Sequence, residues 1–205
     1  NPQSPTAHPI AQNHYLCTMQ NLIELRHILH AHPELSGQEA LTNSILNEWV
    51  KQTRPDQLIE KIGGYVLAAV YKGAKPGKRI LIRGDIDALH IPEPNDLPYR
   101  SQNQGVSHKC GHDGHATILC GLAQWLGEQR PDQGEVVLLF QPAEETGQGA
   151  QAILNDPQFE QIKPDVAYGL HNLPGFEKGQ IMVREGCFAA ASFGLKLVFD
   201  GRTAH

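Results

Sequence analysis

Four short stretches of this chain carry the residue types needed to hold a metal ion and move a proton. Cys110-Gly111-His112 places a thiol and an imidazole one glycine apart, and His108 and His115 fall within the same eight residues. Thiolate and imidazole together favour Zn²⁺ or a similar first-row ion over Mg²⁺ or Ca²⁺. Glu144 and Glu145 form an adjacent carboxylate pair, and His171 follows an apolar run. In a metal site, one carboxylate of such a pair ligates the ion while its neighbour takes a proton from activated water and returns it to the leaving amine. Asp85 and Asp87 are two residues apart, beside Arg83. Either aspartate could simply pair with that arginine or cap a turn. A carboxylate standing behind a ligating imidazole orients it and raises its basicity, a role that suits Asp87 better than direct ligation. Each stretch also has a plainer reading: a buried cysteine, helix-capping histidines or a solvated acidic turn. Only together do the four stretches mark a site.

The positioning elements supply that combination. Apolar runs at Val66–Tyr71, Ile80–Ile82, Val136–Phe140 and Val166–Leu170 lack alternation, as strands covered on both faces do. Three of them run directly into Asp85 and Asp87, Glu144 and Glu145, and His171. Ligands of open α/β sheets bind outside the carboxyl ends of the strands, so three such exits can converge although remote in sequence. Helical spacing is expected over Met19–Leu29 and His115–Glu128, with a short helix at Gly149–Leu154. Ser36 and Glu39 have the capping-box spacing and announce another helix through Trp49. The fold expected is an α/β three-layer sandwich around a largely parallel mixed sheet, residues 1–188, with about the first 12 residues a loose tail. From Ala189 the pattern changes. Phe193, Leu195, Leu197 and Phe199 alternate with less apolar residues, as in a strand covered on one side, so residues 189–205 read as the start of a second domain.

Composition narrows the function classes. The 205 residues are 40% hydrophobic with a net charge of −5, and Lys and Arg are scattered. That excludes the electrostatic footprint of a nucleic-acid or anionic-membrane binder, and no apolar run has the length of a membrane span. Cys17, Cys110, Cys120 and Cys187 are widely spaced, which favours reduced thiols in a cytoplasmic protein.

In order along the chain, Arg83–Leu89, Cys110–His115, Phe140–Glu145 and Gly169–His171 resemble the M20 family of metallopeptidases and aminoacylases. The similarity is greatest to the branch that hydrolyses hippurate, indole-acetyl amino acids and N-acetylated amino acids. The resemblance runs from about Leu25 to His205. It implies a zinc-exopeptidase-like fold and two divalent ions, Mn or Zn, with Co or Ni as substitutes. It further implies Cys110, His112, Glu145 and His171 as metal ligands, Glu144 as general base, and a small-molecule N-acyl amino acid as substrate. Gly201–His205 resembles the opening of the family's smaller lid and dimerisation domain, whose histidine, here His205, stabilises the oxyanion of the tetrahedral intermediate. Ser107 and Lys109 depart from the Met and Ala common at those positions. Family members continue well beyond this point to a final histidine ligand. An alternative reading is therefore a metal-binding or regulatory fragment of the fold without turnover.

Overall fold

The computed structural model describes the backbone of residues 9–185, 195 and 197–201, and side chains from residue 19 onward within that set. Among the described residues, nine regular elements precede residue 170: α1 (Pro9–Ala31), α2 (Ala40–Gln52), β1 (Gln57–Glu60), β2 (Leu67–Lys72), β3 (Lys75–Asp85), α3 (His112–Glu128), β4 (Gln133–Gln141), α4 (Gln148–Asn155) and β5 (Val166–Gly169), with a 3-10 turn at Pro157–Gln161 after α4. They build one five-stranded sheet in the order β1-β2-β4-β3-β5.

The lack of alternation in the central strands has the expected cause: both faces are covered. Leu67, Ala69 and Tyr71 of β2 join Leu138 and Phe140 of β4 beneath Leu25, Leu29, Leu46, Val50 and Leu119 from the three long helices. The intervening Ala68, Val70, Val137 and Leu139 turn to the other face and pack with Ile153 of α4 and Ile162. The result is helices, sheet and helix in three layers, as expected of an α/β sandwich. The sheet is mixed, as expected, with two parallel and two antiparallel pairings. β4 pairs parallel with β3, and β3 with β5, whereas β1–β2 and β2–β4 are antiparallel. The three mutually parallel strands are those whose exits carry Asp85, Glu144 and His171.

The structure departs from the sequence pattern at five points. β1 was not anticipated, because its four residues, Gln57-Leu58-Ile59-Glu60, are too few to show a period. β5 is an edge strand with Tyr168 58% exposed, not a doubly covered one. α3 starts at His112, so the Cys-Gly-His stretch forms the helix entry itself, and α1 starts at Pro9, inside the segment read as a tail. Ser36 and Glu39 form no capping box. The first N–H groups of α2 are received by the carboxylate of Glu34, from Leu41 at 3.1 Å and Thr42 at 2.7 Å. This frees Ser36 and Glu39 for the site described below.

The chain divides into two compact units, residues 1–172 and 173–205. In the second unit no helix or strand occurs among the described residues, and Leu195, Leu197, Val198 and Phe199 are exposed. The strand expected at Phe193–Phe199 is thus not formed at its described positions, and the expected division at residue 189 falls inside this unit. His205 lies outside the described residues. No helix among the described residues is long and apolar enough to cross a membrane. Cys110 and Cys120 are free thiols.

Candidate metal centre

The strand exits and the start of α3 meet at one place within the first unit. Ligand-type atoms of Cys110, His112 and Glu145 lie within 4.8 Å of one another, as do those of Asp85, His112, His115 and His171. Cys110 Sγ stands 3.4 Å from His171 Nε2. All four residues that the family resemblance marks as ligands are therefore brought together, and His112 belongs to both groups.

The two histidines of that set are prepared in the same way. His112 Nδ1–H donates to the carbonyl oxygen of Asp87 at 2.8 Å, and His171 Nδ1–H donates to that of Asn172 at 2.7 Å. A carbonyl oxygen only accepts, so in both rings Nε2 is left with its lone pair outward. In His112 that nitrogen is fully buried and has no hydrogen-bond partner. It faces carboxylate oxygens of Asp85 at 3.5 Å and Glu145 at 3.7 Å. A lone pair opposed to two carboxylates in a buried site needs a positive charge between them. Burial disfavours an imidazolium at His112, yet the Asp87, Asp85 and Glu145 carboxylates together raise its pKa. The field that draws a proton there also suits a cation. The donor set fits a first-row divalent ion.

Cys110 is held as a thiol by the same acidic surroundings. Burial, then the hydrogen bond and charge of Glu145, push it up to about 12. A coordinated cation reverses this, because it deprotonates its thiol ligand outright.

The carboxylate turn is fixed from behind. Ala143 sits in the left-handed region at φ 50°, a costly backbone for a residue with a Cβ. Its N–H donates at 2.8 Å to Glu39, whose carboxyl is fully buried and which also receives Gly37 N–H at 2.9 Å. Desolvation raises the pKa of Glu39 despite those bonds. The following helix then presses close: a Cβ at Gly149 would lie 1.8 Å from the carbonyl oxygen of Pro142. Glu144 and Glu145 emerge from this turn, Glu144 half-buried and Glu145 with a side chain 24% exposed. Asp87 ties the turn to His112. Its Oδ2 accepts from Ser36 Oγ at 2.6 Å and from Glu145 N–H at 3.0 Å, while Oδ1 stands 3.3 Å from His112 Nδ1. Asp87 therefore stands beside the His112 imidazole, bonded to the turn that carries Glu145.

Asp113 turns away from the centre. Its Oδ2 accepts from His30 at 2.8 Å and Arg26 at 3.3 Å. His30 bridges onward to Glu93, which also receives Lys109 Nζ and Ser101 N–H, each at 2.8 Å. The buried Ser107 hydroxyl donates to the carbonyl of Ile91 at 2.7 Å. Ser107 and Lys109, the two departures from the common pattern, thus anchor the loop that leads into Cys110.

The family model described as Peptidase family M20/M25/M40 matches residues 81–201 of this chain. The chain belongs to this family. Its M20 relatives include an N-acetyl-L-cysteine deacetylase of Bacillus subtilis, 39% identical over 91% of this chain and 44% of that protein. A hippurate hydrolase of Campylobacter jejuni is 35% identical over 89% of this chain and 47% of that protein. Among solved structures, the Bacillus subtilis YXEP protein, described as a dinuclear metal-binding peptidase of the M20 family, superposes with a TM-score of 0.72 at 35% identity. It covers 78% of this chain, which in turn covers 44% of it. The chain spans about half the length of the curated relatives it matches.

The sequence reading left several members of this M20 centre unassigned. His115 was visible in the histidine cluster and lies three residues from His112, on the same helical face. Ser36 and Glu39 gave no signal, since their spacing imitated a helix cap.

The paired carboxylates also set an acid limit for the metal-free M20 chain. Burial alone would raise Asp87 and Glu93. Bonds from His112 and Ser36 hold Asp87 at about 2, and bonds from Lys109, Ser101 and His30 hold Glu93 at about 2. Both folded values lie below the unfolded ones, so their stabilisation is fully present above roughly pH 4.3 and is lost as pH falls toward 2. Thermal unfolding of the metal-free chain in steps of pH should show a falling Tm across that window, blunted in Glu93→Gln. Equal acid slopes in both proteins would remove Glu93 from the account.

Proposed function

We propose that the complete protein is a metal-dependent amidohydrolase that cleaves the amide bond of N-acyl amino acids. The observation that carries this is the convergence of Cys110, His112, Glu145 and His171 with a second carboxylate, Glu144, on the same turn. A structural metal site has no use for that extra carboxylate. The metal ions supply Lewis-acid polarisation of the scissile carbonyl and a water acidified to near-neutral pKa. Cys110, His112, Glu145 and His171 would hold them, with Asp87 orienting His112. Glu144 removes the proton from the attacking water and delivers it to the departing amine. Two ions, Mn²⁺ or Zn²⁺ with Co²⁺ or Ni²⁺ as substitutes, suit the thiol, imidazole and carboxylate donors of this set. The names of the deacetylase and hippurate hydrolase relatives support small N-acyl amino acids as the substrate class. Free thiols at Cys110 and Cys120 fit a cytoplasmic setting.

The residues from 189 onward are read as the start of a lid and dimerisation domain, with His205 at the oxyanion in the complete assembly. His205→Ala in the full-length protein should then lower kcat more than it raises KM, the pattern of a group acting on the transition state. A change confined to KM would place His205 in substrate binding instead.

The function itself is tested by loading the full-length protein with Mn²⁺ or Zn²⁺ and measuring amine release from N-acetyl amino acids and hippurate. Metal-dependent release is expected. Stoichiometric metal without release from any of them would leave a binding module in place of an enzyme.

A further inference from the structure

Asp85 and His115 stand among metal-competent groups, but their polar atoms are already engaged. Asp85 is fully buried. Its Oδ1 accepts from His115 Nδ1–H at 2.5 Å and its Oδ2 accepts from Arg83 Nη1 at 2.8 Å. The ion pair with the Arg83 guanidinium keeps it a carboxylate, so it is an acceptor there. Nδ1 of His115 must then carry the proton. At the other end of the ring, Nε2 receives the backbone N–H of Asn172 at 2.8 Å, and the atom placed as Asn172 Oδ1 stands 2.6 Å away. The amide completes this arrangement when its NH₂ end faces the ring. Both nitrogens of His115 are thus occupied by protein, whereas Nε2 of His112 has no partner.

The bonds also join three separate elements. Asp85 ends β3, His115 lies one turn into α3, and Asn172 follows His171 after β5. The same asparagine is wedged against the helix entry from the other side. Gly111 has φ 91°, and a Cβ there would stand 2.8 Å from the tip of the Asn172 amide. No residue with a side chain fits between Cys110 and His112 without displacing Asn172.

We propose that His115 is a positioning residue, locked by Asp85 and Asn172, that holds His171 in register with Cys110 and His112. This rests on the metal-centre reading above. The role differs from ligation because the imidazole acts through Asn172 and never reaches the ion. Loss of a group that orients a ligand typically weakens metal binding about 10–100-fold.

The two amide replacements separate the ends of the ring. A glutamine amide reaches the position of Nε2 and can still accept Asn172 N–H. An asparagine amide reaches only the position of Nδ1 and keeps Asp85 alone. Co²⁺ titration of the chain, followed by thiolate-to-cobalt charge transfer and by d–d absorption, reads affinity and ligand set without turnover. His115→Asn is expected to bind Co²⁺ about 10–100-fold more weakly, with the wild-type spectrum at saturation, and His115→Gln to stay within a few-fold of wild type. Circular dichroism confirms that each variant is folded, and imidazole ¹⁵N shifts of the metal-free wild type should report the Nδ1–H tautomer. Unchanged affinity in folded His115→Asn overturns the proposal. A saturated spectrum lacking one nitrogen donor overturns it too, by making His115 a ligand. Wild-type protein that takes up no Co²⁺ overturns the metal centre and this role with it, a result recognisable before any variant is made.

Discussion

Glu144→Gln in the full-length protein is expected to lower kcat by ~10²–10⁴-fold while leaving the metal content intact. Glutamine keeps the shape and the polar contacts of the side chain but cannot take a proton. The turn that presents it is braced independently, by the bond from Ala143 N–H to buried Glu39 and by the close seat of Gly149 on Pro142. The substitution should therefore leave Glu145, one residue on, where it is. Kinetics on N-acetyl amino acids together with elemental analysis of the purified variant would check both halves. A variant with full kcat would assign the base elsewhere. A variant with little metal would make Glu144 a ligand.

Removing His112 should have the largest effect on metal binding, because it belongs to both groups of ligand-type residues. Saturating Zn²⁺ or Mn²⁺ stabilises the folded chain by mass action, about 2.7 kcal/mol at 100 times Kd. We expect that rise in Tm for the wild-type chain and its loss in His112→Ala. Glu145→Gln, which touches only the group containing Cys110, should retain part of the rise. The metal-free form gives the control. There, His112 Nε2 is a buried atom without a partner, which contributes a cost of about 1–3 kcal/mol rather than a gain. Truncation should accordingly cost the metal-free chain less than the metal-loaded one. Equal Tm shifts on metal addition in wild type and His112→Ala would place the ions elsewhere.

The sequence was most legible where chemistry and period coincide. Strand runs ending in Asp85, Glu144 and His171 marked the centre, because a parallel sheet delivers its strand exits to one side. The Cys-Gly-His stretch was recognisable by ligand type. What escaped was set by distance in sequence rather than by local preference. Ser36 bonds Asp87, and Glu39 bonds Ala143 N–H, 104 residues away. No local rule separates such a pair from a helix cap. β1 escaped for want of length. The exposure of β5 escaped because Val166-Ala167-Tyr168-Gly169 is as apolar as a buried strand, and only its place at the sheet edge distinguishes it.

That edge position has a kinetic consequence for the ion. His171 follows a four-residue strand that pairs, among the described residues, only with β3. Cys110 and His112 sit at the entry of α3, and Glu145 on the turn after β4, a strand paired on both sides. Local opening costs least where ladder bonds are few and exposed. Detaching β5 would withdraw one donor while Cys110, His112 and Glu145 stay in place. The residence time of the ion is then governed by the unzipping of one short edge and the Asn172 latch beyond it, not by global unfolding, so metal can exchange from a chain that remains folded.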